Sequence, residues 1–490
     1  MKDDLDPEGR RLPVKIDGTS NGEFLPEPEN KIQRAYNCHA NEISDHYAKR
    51  LNLSRRRFLK SSCGMAAGFL ALNQIGKTFV TGGGLFTIPE AAAMDRDMAD
   101  AIIRGDELII DMQTHCVDPS ADWARGEDGR RWQRVLGQVF GQSAKCDTGS
   151  FDCFSAKQLV KEVFLDSDTD ITVISALWGA RNQNPTPIEY AAEVRDILET
   201  LGDRQRVLIQ GGVLPNEPGA LDFMDEQAEV FKVDAWKLYP QWGPDGVGYF
   251  MDDETHGIPL LERARKIGVK VICAHRGIPL GGGLEYKYSD PSDIARAANI
   301  FPDLTFLCYH SGFEPGHAEG PYNPDQPEGI DRFIKSAVEQ GYTPNKGNLY
   351  AEMGSLWRYY MSRPDQAAHV MGKLIKYLGE ERICWGTDSI WYGSPQDQIV
   401  AFRNFKISEG FREKYGYPEI TRSMKEKILG LNAARIHNIN AGRLKQIDRD
   451  RIRELKTTYS EDPNPGFRTF GPKTRRDFLA LANARQGYPA

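Results

Sequence analysis

Eight short apolar runs between residues 106 and 440 constrain the fold of this chain more than any other feature. Helix-like stretches separate the runs, for example at 188–201, 259–267, 291–299 and 366–378. This alternation predicts parallel strands joined by helical crossovers, and eight such units predict a (β/α)₈ barrel. An open doubly wound sheet is the alternative, but no Gly-rich phosphate turn follows the first run. The runs occupy residues 108–115, 170–177, 207–213, 235–240, 269–275, 304–310, 349–354 and 383–388.

Four of these runs end on a side chain that can bind a metal. They are the first, fifth, sixth and eighth, and they end on His115, His275, His310 and Asp388. The carboxyl ends of all strands in a barrel face one rim, so we expect these four side chains to meet there. Imidazole nitrogen and carboxylate oxygen are the ligands of an open catalytic metal site. The alternative for each single histidine is a hydrogen-bonded strand end with no functional role.

A metal site of this kind predicts a class of chemistry. The metal lowers the pKa of water towards about 7 and polarises a substrate carbonyl, while a nearby His or Asp moves protons. His115, His275 and Asp388 suit the ligand role. His310 suits either a ligand role or proton transfer.

The strand ends and their order resemble the amidohydrolase superfamily. Within it, they resemble the amidohydrolase-related group that includes the aminocarboxymuconate-semialdehyde decarboxylase-like enzymes. The resemblance spans residues 106–440, including a closing helix-like run at 428–435. The residues that carry it are Asp111-Met112-Gln113-Thr114-His115, His275, His310-Ser311-Gly312 and Gly386-Thr387-Asp388.

The resemblance implies a metal-dependent hydrolase that attacks an amide, ester or lactone carbonyl with a metal-activated water. It implies that His115 and His275 are metal ligands, and that Asp388 is a ligand that also takes a proton. It assigns His310 to water activation or proton transfer. The expected cofactor is one divalent metal, zinc in the first place, and the expected substrate is a small molecule.

Gln113 departs from the family pattern D-x-H-x-H, which has a histidine at this position. A carboxamide oxygen is a weaker zinc ligand than imidazole, so Gln113 could bind the metal loosely or contact the substrate instead. Three alternatives therefore stay open. They are a metal-dependent decarboxylase on the same barrel, a metal-free lactonase-like hydrolase, and a non-catalytic binding protein.

Two basic residues near the predicted rim are candidates for binding an anionic substrate. Lys237 lies on the fourth run, and Arg276 directly follows His275. Lys237 could instead bury its stem and keep its amine in solvent. Arg276 could equally pair with a loop carboxylate.

The N-terminal region carries an export pattern. The run Ser54-Arg55-Arg56-Arg57-Phe58-Leu59-Lys60 precedes a weakly apolar stretch at 65–72 and three alanines at 91–93. This order resembles a bacterial twin-arginine signal, which predicts a periplasmic or exported protein and the export machinery as a partner. Because 53 residues precede the motif, cleavage of the leader stays open.

Charge and hydropathy exclude other classes of partner. The net charge of −7 gives no reason to expect a nucleic-acid partner. No apolar run reaches the roughly 20 residues that span a bilayer. The predicted organisation is a leader and linker at 1–100, the barrel at 101–440 and a C-terminal extension at 441–490, which packs on the barrel or forms an oligomer contact.

Insertions and cysteines complete the sequence predictions. Residues 116–169 and 311–348 follow the first and sixth strands, and we expect them to cap the rim. Cys146 and Cys153 lie in the first insertion and could pair. We expect three further cysteines to fill the barrel interior, each on the same inward face as the ligand that follows it, namely Cys273, Cys308 and Cys384.

Overall fold

The chain folds around a barrel of eight parallel strands, which confirms the predicted architecture. The computed structural model describes residues 10–79, 82–140, 151–201, 206–244, 247–278, 286–444 and 451–484. Each strand pairs in parallel with the next one in the chain. The barrel strands, β1 to β8, are Ile110–Thr114, Ile171–Ile174, Val207–Val213, Ala235–Leu238, Val271–His275, Thr305–Tyr309, Leu349–Glu352 and Ile383–Cys384.

Backbone hydrogen bonds between the first and last strands close the barrel. The Met112 amide donates to the Trp385 carbonyl at 3.0 Å, and the Asp388 amide donates to the Gln113 carbonyl at 2.9 Å. Thr114 forms an isolated parallel bridge with Ser389. The seam between β1 and β8 therefore lies directly beneath the predicted metal ligands.

Helices surround the barrel and extend beyond it at both chain ends. Two further short strands, Gly84–Phe86 and Phe405–Ile407, pair antiparallel outside the barrel. The α-helices are Lys31–Arg50, Arg55–Leu59, Ser62–Phe79, Arg96–Ile103, Gly126–Arg134, Ala156–Leu159, Ile188–Leu201, Ala220–Val230, Gly257–Ile267, Ser292–Ile300, Ile330–Glu339, Leu356–Tyr360, Pro364–Tyr377, Gln396–Asn404, Glu409–Tyr415, Arg422–Glu426, Asn432–Ile436, Ala441–Leu444, Arg451–Glu461 and Arg475–Ala484. Single turns of 3₁₀ or π-helix are Glu90–Ala93, Val135–Phe140, Asp152–Phe154, Val160–Leu165, Tyr286–Tyr288, His310–Gly312, Glu380–Arg382 and Lys427–Leu431.

The barrel interior is apolar at its base and polar at its rim. Cys273 and Cys384 pack in the interior layer with apolar residues of the other strands, as predicted. Cys308 packs instead with the outer core between strands and helices. The prediction that Cys308 shares a face with His310 is wrong, because His310 has a left-handed backbone (φ +65°) that interrupts the strand alternation.

The region before the barrel belongs to the same hydrophobic core as the barrel. Residues such as Val14, Phe58 and Phe69 are fully buried in this core. In the twin-arginine run, Ser54 caps a short helix, and Arg55 forms an ion pair with Asp45. The domain boundaries and the export address stay predictions.

Two segments from opposite ends of the chain run together over the rim. We call residues 13–24 the N-terminal segment and residues 467–473 the C-terminal segment. The Ser20 amide donates to the Pro472 carbonyl at 2.9 Å, and the Thr19 hydroxyl donates to the Thr469 hydroxyl at 2.8 Å. The Phe470 amide donates to the carbonyl of Trp391, in the loop after β8, at 2.7 Å.

The first insertion, at 116–169, also lies on the rim. Its described aromatic residues pack with aromatic residues from the loops that follow β2, β4 and β8. Cys146 lies outside the described residues, so its pairing with Cys153 stays a prediction. The cluster includes Trp123, Trp132, Phe140, Phe151, Phe154, Trp178, Trp242 and Trp391. No helix in the described part of the chain is long and apolar enough to span a membrane.

Candidate metal centre

Two histidines at the rim each have one ring nitrogen anchored by the backbone. His275, at the end of β5, places Nε2 2.8 Å from the Ile278 carbonyl, and His310, after β6, places Nδ1 2.8 Å from the Gly354 carbonyl. A carbonyl accepts only, so both anchored nitrogens carry the proton. The ring centroids are 4.7 Å apart.

The opposite nitrogens of these two rings are available for a ligand. His275 Nδ1 and His310 Nε2 are buried and have no hydrogen-bond partner among the described residues. Burial lowers the pKa of both rings, that of His310 to about 4, so both stay neutral at pH 7. A neutral imidazole fixed through one nitrogen is the arrangement found in metal-binding histidines.

His115 and Asp388 form a second pair at the seam of the barrel. His115 Nδ1 lies 3.0 Å from the Ser175 carbonyl, and its Nε2 lies 3.0 Å from Asp388 Oδ1. His115 Nε2 and Asp388 Oδ1 are both atoms that can bind a metal. Two such atoms about 3 Å apart match neighbouring ligands that each lie about 2.1 Å from one zinc ion.

Both carboxylate oxygens of Asp388 accept hydrogen bonds. Oδ1 accepts from Gln113 Nε2 at 3.2 Å, and Oδ2 accepts from the Ser355 hydroxyl at 2.6 Å. Burial alone would raise the pKa of Asp388, but His115, His310 and Ser355 together hold it below its usual value. Asp388 has a left-handed backbone (φ +58°), a strained conformation typical of functional sites.

The Gln113 side chain contacts the second pair through Asp388. Its Nε2 donates to Asp388, while its Oε1 is buried with no hydrogen-bond partner in the described part of the chain. Gly354 leaves room for this oxygen, since a Cβ there would overlap it. A buried carboxamide oxygen without a partner among the described residues, on a side chain that binds Asp388, fits the role of a weak metal ligand.

Two buried carboxylates fix the loops that carry the ligands. Asp111 accepts from the Gln113 and Thr387 amides at 3.1 and 3.0 Å and from the Thr387 hydroxyl. Glu352 accepts from the His310 amide at 3.0 Å. Burial raises the pKa of Asp111 to about 7 and that of Glu352 to about 8.

The two predicted basic residues differ in position. Lys237 points into the barrel, where its amine lies 3.9 Å from the Tyr309 ring centroid and has no hydrogen-bond partner among the described residues. Burial lowers the pKa of Lys237 to about 8. Arg276 is fully buried and donates to Asp293 at 2.7 Å. Of the two roles that the sequence allows for Arg276, the structure shows the pairing with a carboxylate.

Two residues of the N-terminal segment reach this site without any signal in the sequence. Asn21 Nδ2 donates to Asp388 Oδ2 at 2.7 Å and to Glu23 Oε2 at 2.6 Å. Glu23 Oε1 lies 3.8 Å from His275 Nδ1. The ligand atoms of Glu23, His275 and His310 all lie within 4.8 Å of one another. These positions arise from tertiary packing and carry no recognisable motif.

The donor set as a whole fits a divalent metal. Buried imidazole nitrogens, carboxylate oxygens and one carboxamide oxygen converge at the carboxyl ends of β1, β5, β6 and β8. The structure brings together the predicted His115, His275, His310 and Asp388. Nitrogen and oxygen donors of this kind favour zinc or a similar first-row ion.

Comparison with protein families shows which family the chain belongs to. The model of one family, described as "Amidohydrolase", matches residues 164–439, which is more than half of the chain. The chain belongs to the amidohydrolase family. It is therefore an enzyme of that family. The match contains His275, His310 and Asp388 but begins after β1, so Gln113 and His115 lie outside it. No curated protein sequence matches the chain.

Several solved structures have a similar chain path. An uncharacterised TIM-barrel protein from Bordetella bronchiseptica is 16% identical, covers 68% of this chain and 98% of its own, and has a TM-score of 0.44. A 5-carboxyvanillate decarboxylase from Sphingomonas paucimobilis is 16% identical, with coverage of 68% and 100% and a TM-score of 0.40. A 4-oxalomesaconate hydratase from Rhodopseudomonas palustris is 15% identical, with coverage of 69% and 98% and a TM-score of 0.39. At these values the likeness does not indicate a reaction.

Proposed function

We propose that this amidohydrolase-family enzyme is a metal-dependent hydrolase of an amide, ester or lactone carbonyl. The observation that carries the proposal is a pair of buried nitrogens on His275 and His310, without a hydrogen-bond partner in the described ranges, near the His115–Asp388 pair. The residues that would hold the metal are His115, His275 and Asp388, with Gln113 as a weaker ligand. When bound, a divalent metal lowers the pKa of water towards about 7 and polarises a carbonyl.

The side chains around the centre can move the protons that hydrolysis requires. His310 is neutral and keeps its proton on Nδ1, so its Nε2 can accept a proton from an attacking water. Asp388 is ionised at neutral pH and can take up a proton and pass it to the leaving group. Asn21 and Ser355 donate hydrogen bonds to Asp388 Oδ2 and keep this carboxylate in one orientation.

A pocket beside the centre supports a polar or anionic small molecule as the substrate. It opens among the loops that follow β2, β3 and β4 and reaches Lys237. The Lys237 amine, positively charged below about pH 8, could pair with a substrate carboxylate. The polar side chains of the pocket include Arg181, Asn184, Gln210 and Lys237.

A decarboxylase on the same barrel is the second candidate. The buried amine of Lys237 favours it, because a cation without a hydrogen-bond partner in the described structure could hold a substrate carboxylate close to the four strand ends. The two reactions share their proposed metal ligands. Their products separate them, since only decarboxylation releases carbon dioxide.

Metal analysis and a substrate panel test the proposal. We expect about one equivalent of a divalent metal in the purified chain and hydrolysis within a panel of esters, lactones and amides. His275→Ala should lower metal affinity and kcat/KM by at least about 100-fold, since loss of even outer-shell partners costs about 10- to 100-fold. His46→Ala, which removes an exposed imidazole, is the matched control.

The outcomes distinguish the candidates. Less than about a tenth of an equivalent of metal in active protein would contradict metal dependence and favour a metal-free hydrolase. Carbon dioxide release from a panel of carboxylic acids, without hydrolysis, would favour the decarboxylase. Activity that survives His275→Ala unchanged would show that the centre is assigned wrongly.

A further inference from the structure

The N-terminal segment places a carboxylate in the metal centre. We propose that Glu23 is a metal ligand in this enzyme and supplies the strong ligand that β1 lacks at Gln113. This inference rests on the proposed function, because it requires that the centre binds a divalent metal. It adds to the barrel a ligand from a segment that lies outside the matched family region.

Distance and burial support this role for Glu23. Its Oε1 faces His275 Nδ1 at 3.8 Å, and Glu23, His275 and His310 form one cluster whose potential ligand atoms all lie within 4.8 Å of one another. The two histidine nitrogens are buried and have no hydrogen-bond partner among the described residues. A cation between Glu23 Oε1 and His275 Nδ1 would satisfy the histidine nitrogen and would offset the charge of the carboxylate, while His310 Nε2 stays open for proton transfer.

Asn21 orients two carboxylates at the same time. Its Nδ2 binds Glu23 Oε2 at 2.6 Å and Asp388 Oδ2 at 2.7 Å. One oxygen of each carboxylate is thereby held, and the other oxygen faces a histidine: Glu23 Oε1 faces His275, and Asp388 Oδ1 faces His115. A shared donor that holds one oxygen of each of two carboxylates is the kind of outer-shell contact that positions metal ligands.

The N-terminal segment is built into the fold at this position. Lys15 forms a buried ion pair with Asp397 at 2.8 Å, and Gln33 donates to the Ile16 carbonyl at 2.8 Å. Ser20 is fully buried and donates through its amide to the C-terminal segment. These contacts before Asn21, together with the hydrogen bond from the Ser20 hydroxyl to the Phe24 carbonyl at 2.6 Å, hold the carboxylate in a fixed place, as a metal ligand requires.

Metal titration of the full chain tests the proposal. The chain is stripped with a chelator and titrated with Co²⁺ and Zn²⁺, and the readouts are the visible Co²⁺ absorption and the Zn²⁺ affinity in competition with a chromophoric chelator. The variants are Glu23→Gln, which keeps the shape, and Glu23→Asp, which keeps the charge. Glu29→Gln makes the same charge change at an exposed position of the same region.

We expect Glu23→Gln to weaken Zn²⁺ binding by at least about 100-fold and to change the Co²⁺ spectrum. Glu23→Asp should bind with intermediate affinity, and Glu29→Gln should behave as the unaltered chain. If the unaltered chain binds metal and Glu23→Gln binds it with the same affinity and spectrum, Glu23 is not a ligand, and the proposed function is unaffected. If the unaltered chain binds no metal, both the proposed metal dependence and the ligand role fail.

Discussion

Lys237 shows most clearly how the environment of one residue sets its chemistry. Its amine is buried inside the barrel, and burial disfavours the charged form, so its pKa falls from 10.5 to about 8. The unfolded chain therefore binds more protons than the folded chain between pH 8 and 10.5. Stability should rise with pH in this window as the cost of burying the charge disappears.

Lys237→Met tests this environment in the metal-stripped chain. Methionine fills a similar volume without a charge, so we expect a larger free energy of unfolding than for the unaltered chain at pH 7. The difference should shrink as pH rises from 8 to 10.5, because the unaltered chain gains stability there. Denaturant unfolding at several pH values measures it. A constant difference across this range would contradict the lowered pKa, and Lys346→Met, at an exposed lysine, is the control.

Residue positions were predictable where strand topology alone determines them. His275, His310 and Asp388 follow apolar runs, so a parallel barrel brings them to one rim. Asn21 and Glu23 could not be predicted, because no local pattern marks a loop that packs back over a site. The prediction for Cys308 is wrong because no local pattern in the sequence marks the left-handed backbone at His310.

At the scale of elements, the close contact between the ends of β7 and β8 positions the site. Gly386 follows β8, and a Cβ at this position would overlap Glu352 Oε1. Glu352 in turn holds the His310 amide. A side chain at Gly386 therefore acts on the metal centre through the backbone that carries His310.

Gly386→Ala should destabilise the chain by about 1 to 3 kcal/mol, as overpacking of a filled interior does. It should also weaken metal binding, because Glu352 must move. Thermal unfolding and metal titration measure the two effects. Gly410→Ala is the matched control, since nothing lies within 4 Å of a Cβ at that exposed helical position. Equal stability and metal affinity in the two variants would contradict this account of the β7–β8 contact.

Element prediction succeeded where periodicity was strong. The helix expected at 188–201 is Ile188–Leu201, and the one expected at 259–267 is Gly257–Ile267. Strand bounds were less accurate, since the runs continue past the last ladder hydrogen bond into the loops that hold His310 and Asp388. The sequence does not predict the helices before residue 80, because the apolar stretch at 65–72 matches the pattern of an export signal.

At the scale of the whole molecule, we propose that the chain is exported. The residues of the export pattern are part of the folded N-terminal region. Arg55 pairs with Asp45, and Arg56 donates to Asn464 and to the Pro465 carbonyl. A reporter fused to residues 1–100 lacks the contacts of Arg56 near residue 464. We expect it to reach the periplasm only when both arginines are intact.

The control is the double variant Arg55→Lys/Arg56→Lys, because the twin-arginine machinery is expected to discriminate against lysine while the charge is kept. Fractionation of the reporter measures export. Transport of the double variant at the unaltered level would contradict the assignment. Glu23 lies before the predicted cleavage site at 91–93, so cleavage there would remove the proposed ligand. We therefore expect an exported full chain to keep its N-terminal region, and mass spectrometry of the exported protein tests this.

The pairing of the N-terminal and C-terminal segments also sets an order of events during biosynthesis. Thr19 leaves the ribosome long before Thr469, its hydrogen-bond partner 450 residues further along the chain. Until Thr469 has been translated, the segment that carries Asn21 and Glu23 lacks its hydrogen bonds to the C-terminal segment, although all eight strands have already been translated. A nascent chain could therefore form its barrel well before it can complete the proposed metal centre, so activity should begin only after the C-terminal segment has been translated.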